Sequence, residues 1–193
     1  MKLLVQFPTL ARQVKFTQCL SKYVNMASGL HEITFNINCD VDDHTMNNDE
    51  AKKNITDIFL HQTNKLNRAK ANIHFDVGTT KISAINDHIE PHLYDIIICA
   101  SDDMIPQVYG WDDEIASAMT KHFPDLDGCT HFNDGYTNIK LITLSILGRK
   151  LQVRGEESTL KFTRQDSGRI DKRLIAELGF GNSNVFSLSL IHI

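Results

Sequence analysis

The chain has 193 residues, of which 41% are hydrophobic and 23% charged, and its formal net charge is −4. This length and composition suit one globular domain and exclude a wholly disordered chain. The negative charge argues against sequence-independent nucleic-acid binding as the main role, so we expect no nucleic-acid partner. No apolar run is long enough to span a bilayer, and we expect no transmembrane segment.

The amino-terminal part of the chain predicts a strand, a helix and a second strand. "KLLVQF" is a strand ended by Pro8, and its single Lys and short apolar stretch do not fit a secretory signal peptide. Apolar residues recur at helical spacing over residues 12–24, which predicts an amphipathic helix. "EITFNINCD" alternates apolar and polar residues and predicts the second strand.

The next part of the chain predicts helix, strand, helix and strand. Asn48 or Asp49 is suited to cap the second helix, and "ANIHFDV" is the short third strand. Thr79 or Thr80 is suited to cap the third helix. That helix carries Ile82, Ile85 and Ile89. Residues 94–100 are apolar almost throughout, which is typical of a strand buried on both faces. Strands alternating with helices predict an α/β fold, with a mostly parallel sheet and helices on both faces.

The remainder of the chain changes character near Gly148. Before it, "GWDDEIASAMTKHF" predicts a helix, "CTHFNDG" a short strand or loop, and "NIKLITLSILG" an apolar element of undecided period. After it, residues 149–173 carry eight Lys or Arg against four Asp or Glu, and the final residues have no clear strand pattern. We therefore predict one domain over residues 1–148. The tail, residues 149–193, should add little to the sheet, and we interpret it as truncated or out of frame.

The cysteines indicate a reducing compartment. The four are Cys19, Cys39, Cys99 and Cys129. Because none has CxxC spacing, we expect free, mostly buried thiols and a cytoplasmic protein.

Polar residues follow three of the predicted strands. The groups are Pro8, Thr9 and Arg12; Asp40, Asp42 and Asp43; and Asp102 with Asp103. In open parallel sheets, ligands bind outside the carboxyl ends of the strands, where the strand order reverses. If the first and fourth strands are neighbours, these groups converge on one cleft. So many carboxylates would repel an anion unless a divalent cation came with it, so the pattern predicts a metal–diphosphate site. A solvated acidic loop is the simpler alternative.

Six segments, in chain order, resemble the motifs of an A-type glycosyltransferase domain of the broad inverting family, which makes polysaccharides and glycoconjugates. They are "LLVQFPTLARQVKFTQCL", "CDVDDHTM", "KISAIN", "IIICASDDMIP", "GWDDEI" and "DGCTHFNDGY…LITLSILGR". The resemblance covers about residues 1–149. It implies a Rossmann-like, nucleotide-sugar-binding fold. It also implies sugar transfer from a nucleoside diphosphate donor to the hydroxyl of a saccharide or other acceptor, with Mn²⁺ or Mg²⁺ as cofactor.

The resemblance also implies roles for single residues. Pro8, Thr9 and Arg12 would border the nucleotide, and Asp40, Asp42 and Asp43 would compete to hold the base or the ribose. Lys81 would lie near the base or the phosphates. Asp102 would face the ribose, and Asp103 would hold the metal. Trp111 and Asp112 would lie on the acceptor side.

The general base is the missing part of this pattern. An inverting transferase needs a group that deprotonates the acceptor hydroxyl. We find no counterpart of the family's acidic segment after Arg149, where Asp166 is the nearest acid. Asp134, in "FNDG", is the candidate inside the matching region, with a turn residue as the alternative.

Two other functions stay open at this point. A magnesium-dependent phosphatase with an aspartate nucleophile would use "DVDDH", Lys81 and the Asp102–Asp103 pair in that order, although His44 stands where Thr or Val is expected. The second is a nucleotide-sugar-binding remnant without turnover, because no general base is identified.

Overall fold

The computed structural model describes residues 1–61, 68–78, 80–132, 142–143 and 145–151, together with short strands at 169–170, 185–188 and 191–192. The elements are β1 (Lys2–Pro8), α1 (Gln13–Asn25), β2 (Glu32–Asp40), α2 (Asp49–Leu60), β3 (Arg68–Asp76), α3 (Lys81–Asn86), β4 (Ile96–Cys99), β5 (Ile105–Pro106), α4 (Trp111–His122), β6 (Cys129–Phe132), β7 (Ile142–Thr143), β8 (Ser145–Gly148), β9 (Arg169–Ile170), β10 (Val185–Leu188) and β11 (Ile191–His192).

Seven of the described strands form one sheet, in the order β10-β6-β8-β4-β1-β2-β3. β4, β1, β2 and β3 are parallel to one another, and β8 runs antiparallel to both β4 and β6. The predicted α/β fold with a mostly parallel sheet is confirmed. The chain builds β2 and β3 on one side of β1 and then returns to β4 on the other. The strand order therefore reverses between β1 and β4, the condition for the predicted cleft.

The helix starts follow from capping. The Asn48 side chain accepts a hydrogen bond from the backbone N–H of Ala51, so Asn48 is the cap of α2. Thr80 caps α3 through a reciprocal capping box with Ser83. The prediction that Ile89 belongs to the third helix is wrong. α3 ends at Asn86, and His88 then takes a left-handed φ of 60° that no helix continues through.

The polar face of β2 does not meet solvent, although its sequence alternates. Asn36 and Asn38 are buried, because residues 84–88 cover them on the face opposite α1 and α2. The Asn38 amide donates to the backbone oxygen of Ala84 and to Gln6 Oε1, each at 2.7 Å. The Asn36 amide donates to the backbone oxygen of His88 at 2.8 Å. These bonds satisfy N–H groups of the buried amides and fix α3 on the sheet.

The tail contributes to the sheet, which corrects one expectation. Residues 185–188 pair in parallel with β6 as an edge strand, and β11 pairs with β5. The expectation of little contribution is wrong for these residues. A four-residue edge strand needs only one ladder of backbone hydrogen bonds, and it is too short to show a periodic pattern. The domain boundary near residue 148 stays a prediction, because most of residues 152–193 lie outside the described part.

All four cysteines are free and buried, as predicted. The pKa values of Cys19, Cys39 and Cys129 are raised to about 12, mainly by burial. These thiols therefore stay protonated at neutral pH. Among the described residues, no helix has the length and apolar character needed to cross a membrane.

Candidate functional site

A cleft of about 380 Å³ opens at the carboxyl ends of β1, β2 and β4. Seven residues predicted from the sequence line it: Pro8, Thr9, Arg12, Asp40, Lys81, Asp102 and Asp103. Leu10, Asn38, Thr80, Ala84 and Ser101 complete the lining. The convergence expected if β1 and β4 were neighbours is therefore observed. The contacts of these residues differ, and so do the roles that each can have in the cleft.

The two adjacent carboxylates lie on a tight turn between β4 and β5. The backbone N–H of Met104 donates to the oxygen of Ser101 at 3.0 Å, which places Asp102 and Asp103 at the two central positions. Beneath the turn, the Cys19 thiol of α1 donates to the backbone oxygen of Met104 at 3.1 Å. Packing against α1 thus holds the turn, and with it both carboxylates, at the edge of the cleft.

The two carboxylates have different surroundings. Asp102 is buried, and its Oδ1 accepts a bond from Arg12 Nη1 at 3.0 Å. The Arg12 side chain is 56% exposed, so this ion pair is partly solvated and contributes little to stability. Asp103 is partly buried and has no ion-pair partner in the described part of the chain. One carboxylate of the pair is therefore offset by a cation, and the other keeps its charge for the cleft.

The charges of the lining nearly balance. Three carboxylates, Asp40, Asp102 and Asp103, face two cations, Arg12 and Lys81. Lys81 is the first residue of α3, the helix that the Asn38 amide fixes on the sheet. The cleft can therefore attract phosphate oxygens at its cations while it keeps a carboxylate for a divalent cation.

Only one of the three competing acids after β2 lines the cleft, namely Asp40. Asp42 is exposed and lies outside the lining. Asp43 is only 6% exposed, and its carboxylate accepts bonds from the backbone of Ala11 at 2.7 Å and from the Thr45 hydroxyl at 2.6 Å. Burial raises the pKa of Asp43, but the hydrogen bonds that Thr45, Ala11 and Met46 donate to it outweigh burial and hold that pKa below its ordinary value. The Asp43 carboxylate thus accepts hydrogen bonds from other parts of the protein and does not line the cleft.

Trp111 and Asp112 are not among the residues that line the cleft. Trp111 is 1% exposed, and its Nε1 donates to the backbone oxygen of Tyr23 at 2.9 Å. Asp112 is fully buried and accepts bonds from the backbone N–H and the hydroxyl of Ser28, each at 2.7 Å. Ser28 lies in the loop that enters the amino end of β2, so this pair is at the opposite edge of the sheet from the cleft. These contacts give both side chains a structural role, and the acceptor role that the resemblance implies stays a prediction.

The lining fits a metal ion that arrives with a phosphorylated ligand. The described residues contain no group of three His, Cys, Asp or Glu side chains that could enclose a metal ion. One carboxylate is enough for an ion that keeps several waters and is also bound by substrate phosphates. Asp103 suits this role better than Asp102, which is paired with Arg12. The predicted base, Asp134, lies outside the described residues.

Two buried oxygens of the lining, Thr9 Oγ1 and Asn38 Oδ1, have no hydrogen-bond partner among the residues that the structure describes. An orphaned buried oxygen costs about 1–3 kcal/mol, so these atoms are suited to bond a ligand. The Asn38 amide nitrogen donates both of its hydrogens within the protein, so its oxygen is the atom left to bond a ligand. Sequence reasoning missed Asn38. The available signal was its place two residues before Asp40, because such side chains share one face of a strand.

No protein-family model and no curated protein matches the chain. Solved structures do match. A mannosyltransferase, PcManGT from Pyrobaculum calidifontis in complex with GDP-Man and Mn²⁺, is 10% identical with a TM-score of 0.64, and the match covers 100% of this chain and 56% of that one. TarS of S. aureus in complex with UDP-GlcNAc is 11% identical with a TM-score of 0.57, covering 100% of this chain and 58% of that one.

The chain has the A-type glycosyltransferase fold. The fold implied by the sequence motifs is thereby confirmed. A third match is CMP:2-keto-3-deoxy-manno-octonic acid synthetase complexed with CTP, at 8% identity and a TM-score of 0.58, covering 98% of this chain and 90% of that one. The structural neighbours include glycosyltransferases and, with a structure from Leptospira borgpetersenii, a cytidylyltransferase. The chain spans a little more than half the length of the mannosyltransferase and of this TarS structure, and identities this low show the fold alone.

Proposed function

We propose that this chain binds a nucleoside diphosphate sugar and transfers the sugar to a hydroxyl of a saccharide or other acceptor, in polysaccharide or glycoconjugate biosynthesis. The observation that carries the proposal is the cleft at the β1–β4 reversal, which joins Asp102 and Asp103 to the cations Arg12 and Lys81. The nucleotide sugars named with the two glycosyltransferase structures support this ligand class. The four buried free thiols support a reducing compartment such as the cytoplasm.

Asp103 would hold Mn²⁺ or Mg²⁺ in this proposal. When bound, the divalent cation supplies Lewis-acid stabilisation of the charge on the leaving nucleoside diphosphate. Asp103 suits that ion because it lines the cleft without the cation that pairs with its neighbour. The Mn²⁺ named with the mannosyltransferase structure supports the choice of metal.

Arg12 and Lys81 would bind the diphosphate. Arg12 is more than half exposed and bonds Asp102 from the surface of the cleft, so it can exchange that carboxylate for a phosphate oxygen at little loss of stability. Pro8 borders the nucleotide. Asp40, at the end of β2, would hold the base or ribose, and Asp102 would face the ribose. The acceptor's proton needs a general base, and Asp134 is our candidate for it.

The deciding experiment is calorimetry of the wild-type chain with UDP, GDP, CDP and dTDP, each with Mn²⁺ and with EDTA. We expect at least one nucleotide to bind only with the metal, because the carboxylates of the cleft otherwise oppose the diphosphate. Binding that is independent of metal, or no binding by any of the four, would count against the proposal. Binding without sugar transfer to any acceptor or to water would identify a non-catalytic remnant.

A nucleotidyltransferase is a second candidate, because the match to the CTP-bound synthetase covers 90% of that chain. Tighter binding of CTP than of any diphosphate would favour it, together with release of pyrophosphate when a sugar hydroxyl attacks the α-phosphorus and takes up the CMP group. The phosphatase alternative loses support. Asp42, its expected second aspartate, is exposed and lies outside the cleft, where it cannot act on a group held by Asp40.

Thr9→Val should separate binding from stability. The Thr9 hydroxyl has no hydrogen-bond partner in the part of the chain that the structure describes, so its loss should leave the free energy of unfolding unchanged or raise it by up to about 1 kcal/mol. The nucleotide affinity should fall about tenfold, as for one lost hydrogen bond in a buried site. Urea unfolding and calorimetry measure the two effects.

Thr130→Val is the matched control for that change. The Thr130 hydroxyl is also buried and has no partner within the described ranges, but it lies on β6, outside the cleft lining. Thr130→Val should change stability in the same way and leave nucleotide affinity unchanged. A Thr9→Val protein that binds nucleotide like wild type would refute a ligand bond at Thr9.

A further inference from the structure

The loop between β1 and α1 carries a disfavoured backbone conformation beside Arg12. Ala11 has a φ of 54°, in the left-handed region that residues with a Cβ rarely adopt. The next residue, Arg12, bonds Asp102 across the cleft and also accepts the first backbone bond of α1, from Phe16 at 2.8 Å. The conformation of Ala11 therefore sets both the direction of the Arg12 side chain and the start of α1.

A buried carboxylate holds that conformation from another loop. Asp43 Oδ2 accepts the backbone N–H of Ala11 at 2.7 Å. Its Oδ1 accepts the backbone N–H of Thr45 at 3.0 Å and the Thr45 hydroxyl at 2.6 Å. Both oxygens are thus engaged within the protein, and Asp43 is absent from the lining of the cleft. A hydrogen bond to an ionised acceptor is about twice as strong as a neutral one, which offsets the unfavourable φ.

We propose that Asp43 is a positioning residue, which acts through Ala11 to hold Arg12 in place for the ligand and does not itself contact the base or the ribose. This proposal rests on the proposed function only where the test measures nucleotide affinity. The contact chain from Asp43 to Ala11, and from Arg12 to Asp102, is a property of the protein alone. The proposal replaces the role that the family resemblance implied for Asp43.

The central test is a rescue. Asp43→Asn replaces the charged acceptor, so Ala11 relaxes to a negative φ, and the affinity for UDP or GDP with Mn²⁺ falls about tenfold or more. Ala11→Gly in the same chain restores affinity to within about threefold of wild type, because Gly adopts a positive φ without a steric penalty. If Asp43 bonded the nucleotide directly, Ala11→Gly would restore nothing, and that result would overturn the proposal.

Two further variants cover the case in which Asp43→Asn does not fold. Ala11→Val keeps the carboxylate, and Ala11 is exposed, so the larger side chain has room. Its β-branched side chain disfavours the left-handed φ further, and affinity should fall as in Asp43→Asn. Thr45→Ala is the matched control. It removes one hydrogen bond to the same carboxylate but leaves Ala11 bonded, and it should weaken nucleotide binding less than about twofold. Wild-type affinity in Ala11→Val would overturn the proposal.

Trypsin cleavage after Arg12, followed by mass spectrometry without any nucleotide, separates this proposal from the proposed function. Cleavage there should be about tenfold faster in Asp43→Asn and Ala11→Val than in wild type, because the loop opens more often. In Thr45→Ala it should match wild type. If no nucleotide binds wild type, the proposed function fails while the cleavage pattern still decides the role of Asp43. Equal cleavage rates in all four proteins would refute the proposal.

Discussion

Asp103→Asn should abolish the metal-dependent part of nucleotide binding. The change removes one negative charge and weakens a hard-cation ligand, while the side-chain volume stays nearly constant. Asp102 is the poorer ligand, because its side chain is buried while that of Asp103 is only partly buried. The diphosphate would then meet the carboxylates of the cleft without the cation that offsets them. We expect the affinity in Mn²⁺ to fall about 10–100-fold and to reach the level measured in EDTA.

Calorimetry at several Mn²⁺ concentrations provides the measurement. After chelation, added Mn²⁺ should restore nucleotide binding by the wild-type protein, but it should not restore nucleotide binding by Asp103→Asn. Asp125→Asn is the control, since Asp125 is exposed and pairs with Lys150 in the turn after α4, outside the cleft. Metal-dependent binding that persists in Asp103→Asn would move the metal ligand to Asp102 or Asp40 and refute the assignment.

Trp111→Ala should lower the free energy of unfolding by about 3–5 kcal/mol, the usual cost of removing a large buried aromatic side chain. The Trp111 ring packs edge-to-face on Tyr23, with centroids 5.1 Å apart. The indole N–H of Trp111 also donates a hydrogen bond to the backbone oxygen of Tyr23. The variant therefore loses both packing and a satisfied buried donor. Its folded fraction should still bind nucleotide with wild-type affinity, because Trp111 is remote from the cleft.

Urea unfolding measures the loss, and Trp111→Phe is the matched variant. Phe keeps much of the packing and loses only the N–H bond, so its cost should be clearly smaller than that of Ala. If Trp111→Ala changed stability by less than about 1 kcal/mol and instead impaired use of an acceptor, the residue would belong to the acceptor side after all.

The sequence alone determined the four parallel strands β1 to β4, the presence of a helix after each of the first three, and the place of the cleft. Apolar runs and alternation are local signals, and Pro8, Asn48 and Thr80 mark element ends through contacts within a few residues. Once strands alternate with helices, parallel pairing brings the strand ends to one edge. For this reason the sequence pattern by itself predicts that Asp102 and Asp103 lie beside the β1 loop, where the fold places them.

Only the tertiary structure decided which acids face a ligand and which hold the protein together. Asp40 and Asp43 are three residues apart, yet one lines the cleft while the other bonds the backbone of Ala11, 32 positions away. Asp112 likewise accepts a hydrogen bond from the backbone N–H of Ser28, 84 positions away. A carboxylate becomes structural when folding brings backbone donors to it, and such distant partners leave no local pattern in the sequence. The same reason hid Asn38, whose amide is bonded by groups from β1 and α3.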